Sequence, residues 1–120
     1  MSSEVLHVPR ERLKTHTLHL HYAIVSLMEE LEAVDWYRQR ADDTENVDLR
    51  EVLLHNAKEE MEHASMLIEW IRRHEPLFDK QLREYLFTEK PIVEVEHEAM
   101  EHDSPIKQNE TTDRGAPVKR

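Results

Sequence analysis

From Arg10 to Glu75 the chain contains neither proline nor glycine. Turns and bulges are built from those two residues and helix interiors reject them, so this stretch can hold long helices and little else. Over all 120 residues there are five Pro and one Gly. Pro9 suits the first position of a helix, where its missing N–H is not needed. Leu13, Leu20, Ile24, Leu27, Leu31 and Val34 share one face of a first helix running from Pro9 to about Ala41. At 1.5 Å per residue it would be roughly 50 Å long. Residues 42–46 form a polar turn, after which Asn46 or Asp48 can cap a second helix. Leu49, Val52, Leu53, Leu67, Trp70 and Ile71 carry that helix to about His74, and Pro76 ends it. A short third helix, Phe78 to Phe87, stops before Pro91.

The expected organisation is an N-terminal arm (1–8), one helical domain (9–93) and a disordered acidic tail (94–120). The fold class is all-α: a short turn makes the two long helices an antiparallel hairpin, followed by a short C-terminal helix. Two helices alone bury little, and the hydrophobic share is only 38%, against roughly 45–50% in ordinary domains on a count that includes Gly. The chain is therefore expected to finish its core against a partner, two hairpins dimerising into a four-helix bundle. Twenty-six acidic against 16 basic residues give a net charge of −10, which argues against nucleic acid and anionic membrane as partners and favours cation attraction. With no Cys, disulfides, thiolate metal sites and cysteine nucleophiles are excluded, so any metal must be held by Glu, Asp, His or water. No apolar run approaches the roughly 18 residues of a membrane span, the N-terminus does not read as a signal peptide, and the expected location is cytoplasmic.

Several charged residues fall on faces that should be buried. At about 100° per residue, with Leu49 as zero, Glu60 lies at about +20° and His63 at about −40°, inside the apolar arc of the second helix. Glu59 and Glu62 fall toward its flank. On the first helix, with Leu13 as zero, Glu30 lies at about −100°, on a flank shared with Ala23, Val34 and Tyr37, whereas Glu29 and Glu32 take the more polar side. An uncompensated buried carboxylate costs several kcal/mol and is tolerated when it is paired or holds a metal. No Lys or Arg shares the arc of Glu60. Residues i and i+3 lie about 5–6 Å apart on one helix face, so Glu60 and His63 can reach one cation.

A carboxylate-bridged di-iron bundle takes one Glu from each of two helices and Glu-x-x-His from each of two others. One chain supplies half of that set, Glu30 with Glu60 and His63, and a symmetric dimer supplies all of it. Four carboxylates would neutralise two ferrous ions. The bland alternative is a neutral His63 hydrogen-bonded in the core with Glu60 paired across an interface.

The stretches EELEAVDWY at 29–37, LLHNAKEEMEHASMLIEWIRR at 53–73 and REYLFTEKPI at 83–92 resemble the encapsulated ferritins over roughly residues 10–95. That resemblance implies a ferritin-like four-helix bundle made by two subunits, a ferroxidase centre at their interface and a decameric ring of dimers. It places the iron ligands at Glu30, Glu60 and His63, with Tyr37 nearby to hydrogen-bond a ligand. It also implies accessory sites for calcium or another divalent cation at Glu29 and Glu32 with Trp36, and at His55, Glu59 and Glu62. The implied partner is an encapsulin shell, and the implied location is inside that nanocompartment. Family members usually end in a Gly/Leu/Ser-rich targeting peptide, whereas EHDSPIKQNETTDRGAPVKR at 101–120 shows no such motif.

The expected activity is oxidation of Fe(II) to Fe(III), supplying iron for storage. The rival expectation is a noncatalytic helical assembly module that buffers divalent cations. His16, His19 and His21 point to different sides of the first helix and read as structural or surface residues. Met61 and Met66 face away from the central stripe, toward a neighbouring subunit.

Overall fold

The computed structural model describes residues 5–102. A 3-10 turn at Arg10–Arg12 leads into four helices: α1, Thr15–Asp43; α2, Val47–His74; α3, Pro76–Tyr85; and α4, Ile92–His102. Among the described residues there is no strand. No helix is long and apolar enough to cross a membrane. The described residues fall into two compact units that divide between Ile71 and Arg72.

In the first unit, Pro9 does not start the long helix. It precedes the 3-10 turn, closed by Arg12 N–H to Pro9 C=O and Leu13 N–H to Arg10 C=O, both 3.0 Å. Leu13 is extended, at φ −95° and ψ 138°, so the residue taken as the origin of the apolar face lies outside α1. The turn is held by side chains that periodicity does not reveal: Arg10 donates to the Tyr22 hydroxyl and lies 5.9 Å from that ring's centre.

The hairpin turn is narrow, residues 44–46. Asn46 is the cap: its Oδ1 accepts the Leu49 N–H at 2.9 Å, satisfying one of the donors a helix start leaves unpaired. Arg50, on the first turn of α2, donates to the carbonyls of Ala41 (3.1 Å) and Thr44. It thereby covers the carbonyl end of α1 and ties the two helices at the turn.

The seam between α1 and α2 is made of small residues. Ala41 and Ala57 are 1% exposed, and Ala64, Ile71 and Ala23 are also buried. Ala57, Ala64 and Ile71 are seven apart, a stripe along one side of α2. Alanine lets the two backbones approach closely. Larger residues of the expected apolar face stay open: Ile24 and Leu31 on α1 are 39% and 52% exposed, and Leu49 and Val52 on α2 are about half exposed. Leu54, Met61 and Ile68 form a second stripe of α2 at seven-residue spacing and are also exposed. The hairpin thus buries its alanines and Ile71, covers Leu20, Leu27, Leu53 and Leu67 in part, and leaves Ile24, Leu31, Leu49 and Leu54 exposed.

In the second unit, α3 starts with Pro76 at its first position and Glu75 as cap, its carboxylate accepting the Leu77 N–H at 3.4 Å. Asp79 is buried and anchors the unit: Arg72 donates to its Oδ1, and Arg83 Nε donates to both oxygens at 3.0 and 3.1 Å. Burial pushes the Asp79 carboxyl up, but the hydrogen bonds and charges of Arg83 and Arg72 outweigh it and hold the group below its ordinary value.

Residues 94–102 of the expected tail are helical. Val95 N–H bonds to the Pro91 carbonyl at 3.1 Å, and Val95 is the one buried apolar residue among the described part of this unit. Val95 and Ala99 lie on one face at i and i+4, a signal that the acidic composition outweighed in the sequence reading. Burial, and then the charges of Glu96 and Glu84, keep the Tyr85 phenol above its usual value. The remainder of the expected tail and residues 1–4 of the expected arm lie outside the described residues.

Candidate metal centre

Midway along the hairpin the alanine stripe of α2 is interrupted by Glu60, three residues after Ala57 and four before Ala64. The facing stretch of α1 presents Glu30, seven residues after the buried Ala23. His63 adds an imidazole one turn on from Glu60. Glu30, Glu60 and His63 each offer one ligand atom, and all three atoms lie within 4.8 Å of one another. His63 Nδ1 is 3.5 Å from Glu30 Oε1 and 3.4 Å from Glu60 Oε1. Both distances exceed those of ordinary N–H···O bonds, so helix geometry and not hydrogen bonding assembles the trio.

The two Glu side chains are about three-quarters buried, at 25% and 24% exposure, and His63 is 46% exposed. Among the described residues no Lys or Arg pairs with either carboxylate. Two largely buried carboxylates with an imidazole and no basic partner form an oxygen and nitrogen donor set suited to divalent transition metals. The remaining exposure leaves the donor atoms open on one side.

The flank reading of Glu30 is refined by the packing. The arc shared with Ala23 and Tyr37 lies on the α1–α2 seam, and of the leucine arc taken as central Ile24 and Leu31 stay exposed. Tyr37 is half-buried two turns from Glu30, a separation of about 10 Å along the axis. It forms no hydrogen bond to Glu30, Glu60 or His63 within the chain.

The accessory residues are less gathered. Glu29 and Glu32 are exposed on α1, and Trp36 is 47% exposed. His55 Nε2 lies 3.9 Å from Glu59 Oε2, and Glu62 does not join them in a three-ligand group. His16 and His19 are exposed and His21 is partly covered. Among the described residues, Glu30, Glu60 and His63 are the one such group of three.

Sequence reasoning missed Arg40, whose guanidinium lies 5.6 Å from the Trp36 ring and 5.9 Å from the Tyr37 ring. The i+4 and i+3 spacings were legible. It also missed the Arg72–Asp79–Arg83 cluster. There the i,i+4 pair Asp79–Arg83 was legible and Arg72 was not.

The EncFtn-like family profile matches residues 5–89. The chain belongs to the EncFtn-like family. It is 53% identical over 95 residues to the encapsulated ferritin-like protein of Rhodospirillum rubrum, covering 79% of this chain and 68% of that one. It is 57% identical over 76 residues to a ferritin-like protein of Thermotoga maritima, covering 63% and 67%. Among solved structures, the crystal structure of protein NE0167 from Nitrosomonas europaea superposes with a TM-score of 0.71 at 53% identity, over 72% of this chain and 96% of that one. An encapsulated ferritin-like chain is thus one whose helical fold and iron-related kinship agree with the carboxylate and imidazole cluster on its hairpin.

Proposed function

We propose that this EncFtn-like chain is a ferroxidase whose centre is completed by a second copy. The observation that carries the proposal is the convergence of Glu30, Glu60 and His63 on the hairpin seam without a basic partner. One chain contributes two carboxylates, enough charge for one divalent cation. A symmetric dimer contributes four carboxylates and two imidazoles, enough to bind two ferrous ions as substrate. Glu60, at the middle of the seam, would be the ligand placed to serve both ions, and Glu30 and His63 would complete the ligand sets. The exposed Ile24, Leu31, Leu54, Met61 and Ile68 supply the apolar surface that the dimer covers.

Anionic oxygens in a water-poor setting stabilise a ferric ion more than a ferrous one. They therefore favour transfer of one electron from each ferrous ion to dioxygen. The acidic surface raises the local concentration of ferrous ions. Glu29 and Glu32 beside Trp36, and His55 with Glu59 and Glu62, act as weaker sites for calcium or other divalent cations on that surface. Tyr37, on the same seam, flanks the centre. A hairpin of two long helices encloses no mineral cavity, so the ferric product is stored elsewhere. In this proposal it is stored in an encapsulin compartment holding decameric rings, as the name of the R. rubrum relative suggests for that protein.

Stopped-flow absorbance after aerobic addition of ferrous iron tests the proposal. Fast, saturable oxidation is expected in the native chain and is lost in Glu30→Ala, Glu60→Ala and His63→Ala. Binding of iron with oxidation no faster than in buffer would establish the cation-buffering module instead.

A further inference from the structure

Met66 stands three residues after His63 on α2, so the two side chains are neighbours on the helix surface, about 5–6 Å apart at Cβ. His63 is the most exposed of the three candidate ligands, and Met66 beyond it is 64% exposed. With Leu49 as zero, Met66 falls at about −100°, next to His63 and on the flank of Glu59 and Glu62. The stripe of Leu54, Met61 and Ile68, which the proposed dimer covers, lies on the opposite flank at about +100° to +140°. Met66 thus forgoes the packing for which methionine is ordinarily used, and its sulfur stays open to solutes. Met100, on α4 in the second unit, is 66% exposed and gives an internal reference. Exposure alone would make the two thioethers equally reactive.

Two ferrous ions oxidised together give up two electrons, which with two protons reduce one dioxygen to hydrogen peroxide. We propose that Met66 is an oxidation site that intercepts this peroxide as it leaves the open side of the Glu30, Glu60 and His63 cluster. The inference rests on the ferroxidase reading of that cluster. A lone pair of the Met66 sulfur attacks one peroxide oxygen, the O–O bond breaks, and the other oxygen leaves as hydroxide. The hydroxyl now on sulfur gives its proton to that hydroxide, so the products are methionine sulfoxide and water. Sulfur has lost two electrons and peroxide has gained them. The modification turns an apolar side chain into a polar one and is reversible by sulfoxide reduction. It consumes the oxidant one helical turn from where it is made.

The test gives ferrous iron to the full chain in air, with catalase present to destroy peroxide that reaches bulk water. Iron oxidation is followed by absorbance, and sulfoxide is then located in the same sample by peptide-fragmentation mass spectrometry. Met66 is expected to carry several-fold more sulfoxide than Met100. Glu60→Ala, which leaves Glu59 and Glu62 in place, is expected to bring Met66 down to the level of Met100. Hydrogen peroxide added in chelator, without iron or catalase, is expected to oxidise the two alike. Rapid iron oxidation with Met66 oxidised no more than Met100 would overturn the proposal and leave the ferroxidase reading standing. An excess at Met66 that persists in Glu60→Ala, or that added peroxide alone reproduces, would also overturn it. A native chain that oxidises iron no faster than buffer would overturn both.

Discussion

Glu60 stands where the stripe that contains Ala57 and Ala64 would otherwise be apolar, and its substitution separates a metal role from a packing role. Glu60→Ala restores an apolar seam, so the hairpin is expected to keep or gain thermal stability. Iron oxidation in the same variant is expected to fall by at least about 100-fold, since loss of even an outer partner of a metal ligand costs 10–100-fold. Stopped-flow rates and a melting curve on one sample check both outcomes. Asp79 gives the opposite pattern, structural and pH-dependent. Its carboxyl is held below the ordinary value, so its stabilisation is complete above the unfolded-state value of about 3.9 and is lost as pH falls through the depressed folded value. Asp79→Asn is expected to cost about 3 kcal/mol, the low end for a buried ion pair broken on one side, and to flatten this acid limb. Urea unfolding between pH 2 and 6 measures both. Of these two residues, Glu60 was legible in the sequence because i,i+3 spacing is local. The full ligation of Asp79 was not, because Arg72 reaches it across the α2–α3 turn.

At the scale of elements, the absence of Pro and Gly and the periodicity sufficed for α1, α2 and α3, to within a few residues at their ends. They failed at Leu13, where a 3-10 turn held by Arg10 and Tyr22 displaced the helix start. They failed again at α4, where a charged sequence packs through Val95 with Ala99 on the same face. The cap at Asn46 was one of two sequence candidates, and the geometry chose it because its Oδ1 reaches the third helical N–H. Asn46→Ala is expected to lower stability by about 1 kcal/mol, whereas Asp48→Ala changes it by less, as paired denaturation curves would show. The exposed stripe of α1 makes a sharper prediction. On a hairpin that works alone, Leu31→Glu would shift stability by no more than about 0.5 kcal/mol. In a chain whose leucine face is an interface, it is expected to reduce the assembled mass in sedimentation and to slow iron oxidation together.

For the whole molecule, the proposed centre and the proposed dimer interface coincide, so metal and assembly are linked. Ferrous or other divalent ions that bind only the assembled form are expected to raise the melting temperature and make it depend on protein concentration. Calorimetry at two concentrations, with metal and with chelator, checks this. A ligand at one hundred times its dissociation constant should add about 2.7 kcal/mol. The helical class and the i,i+3 placing of Glu60 and His63 were determined by the sequence itself, because helix periodicity and local spacing depend on neighbours within two turns. Which arc became the seam was decided only by the tertiary structure. Ala23, read as a flank of the first helix, joined the seam, while Ile24 and Leu31 of the expected inner face stayed exposed, because two helices in a short hairpin approach most closely over their smallest side chains.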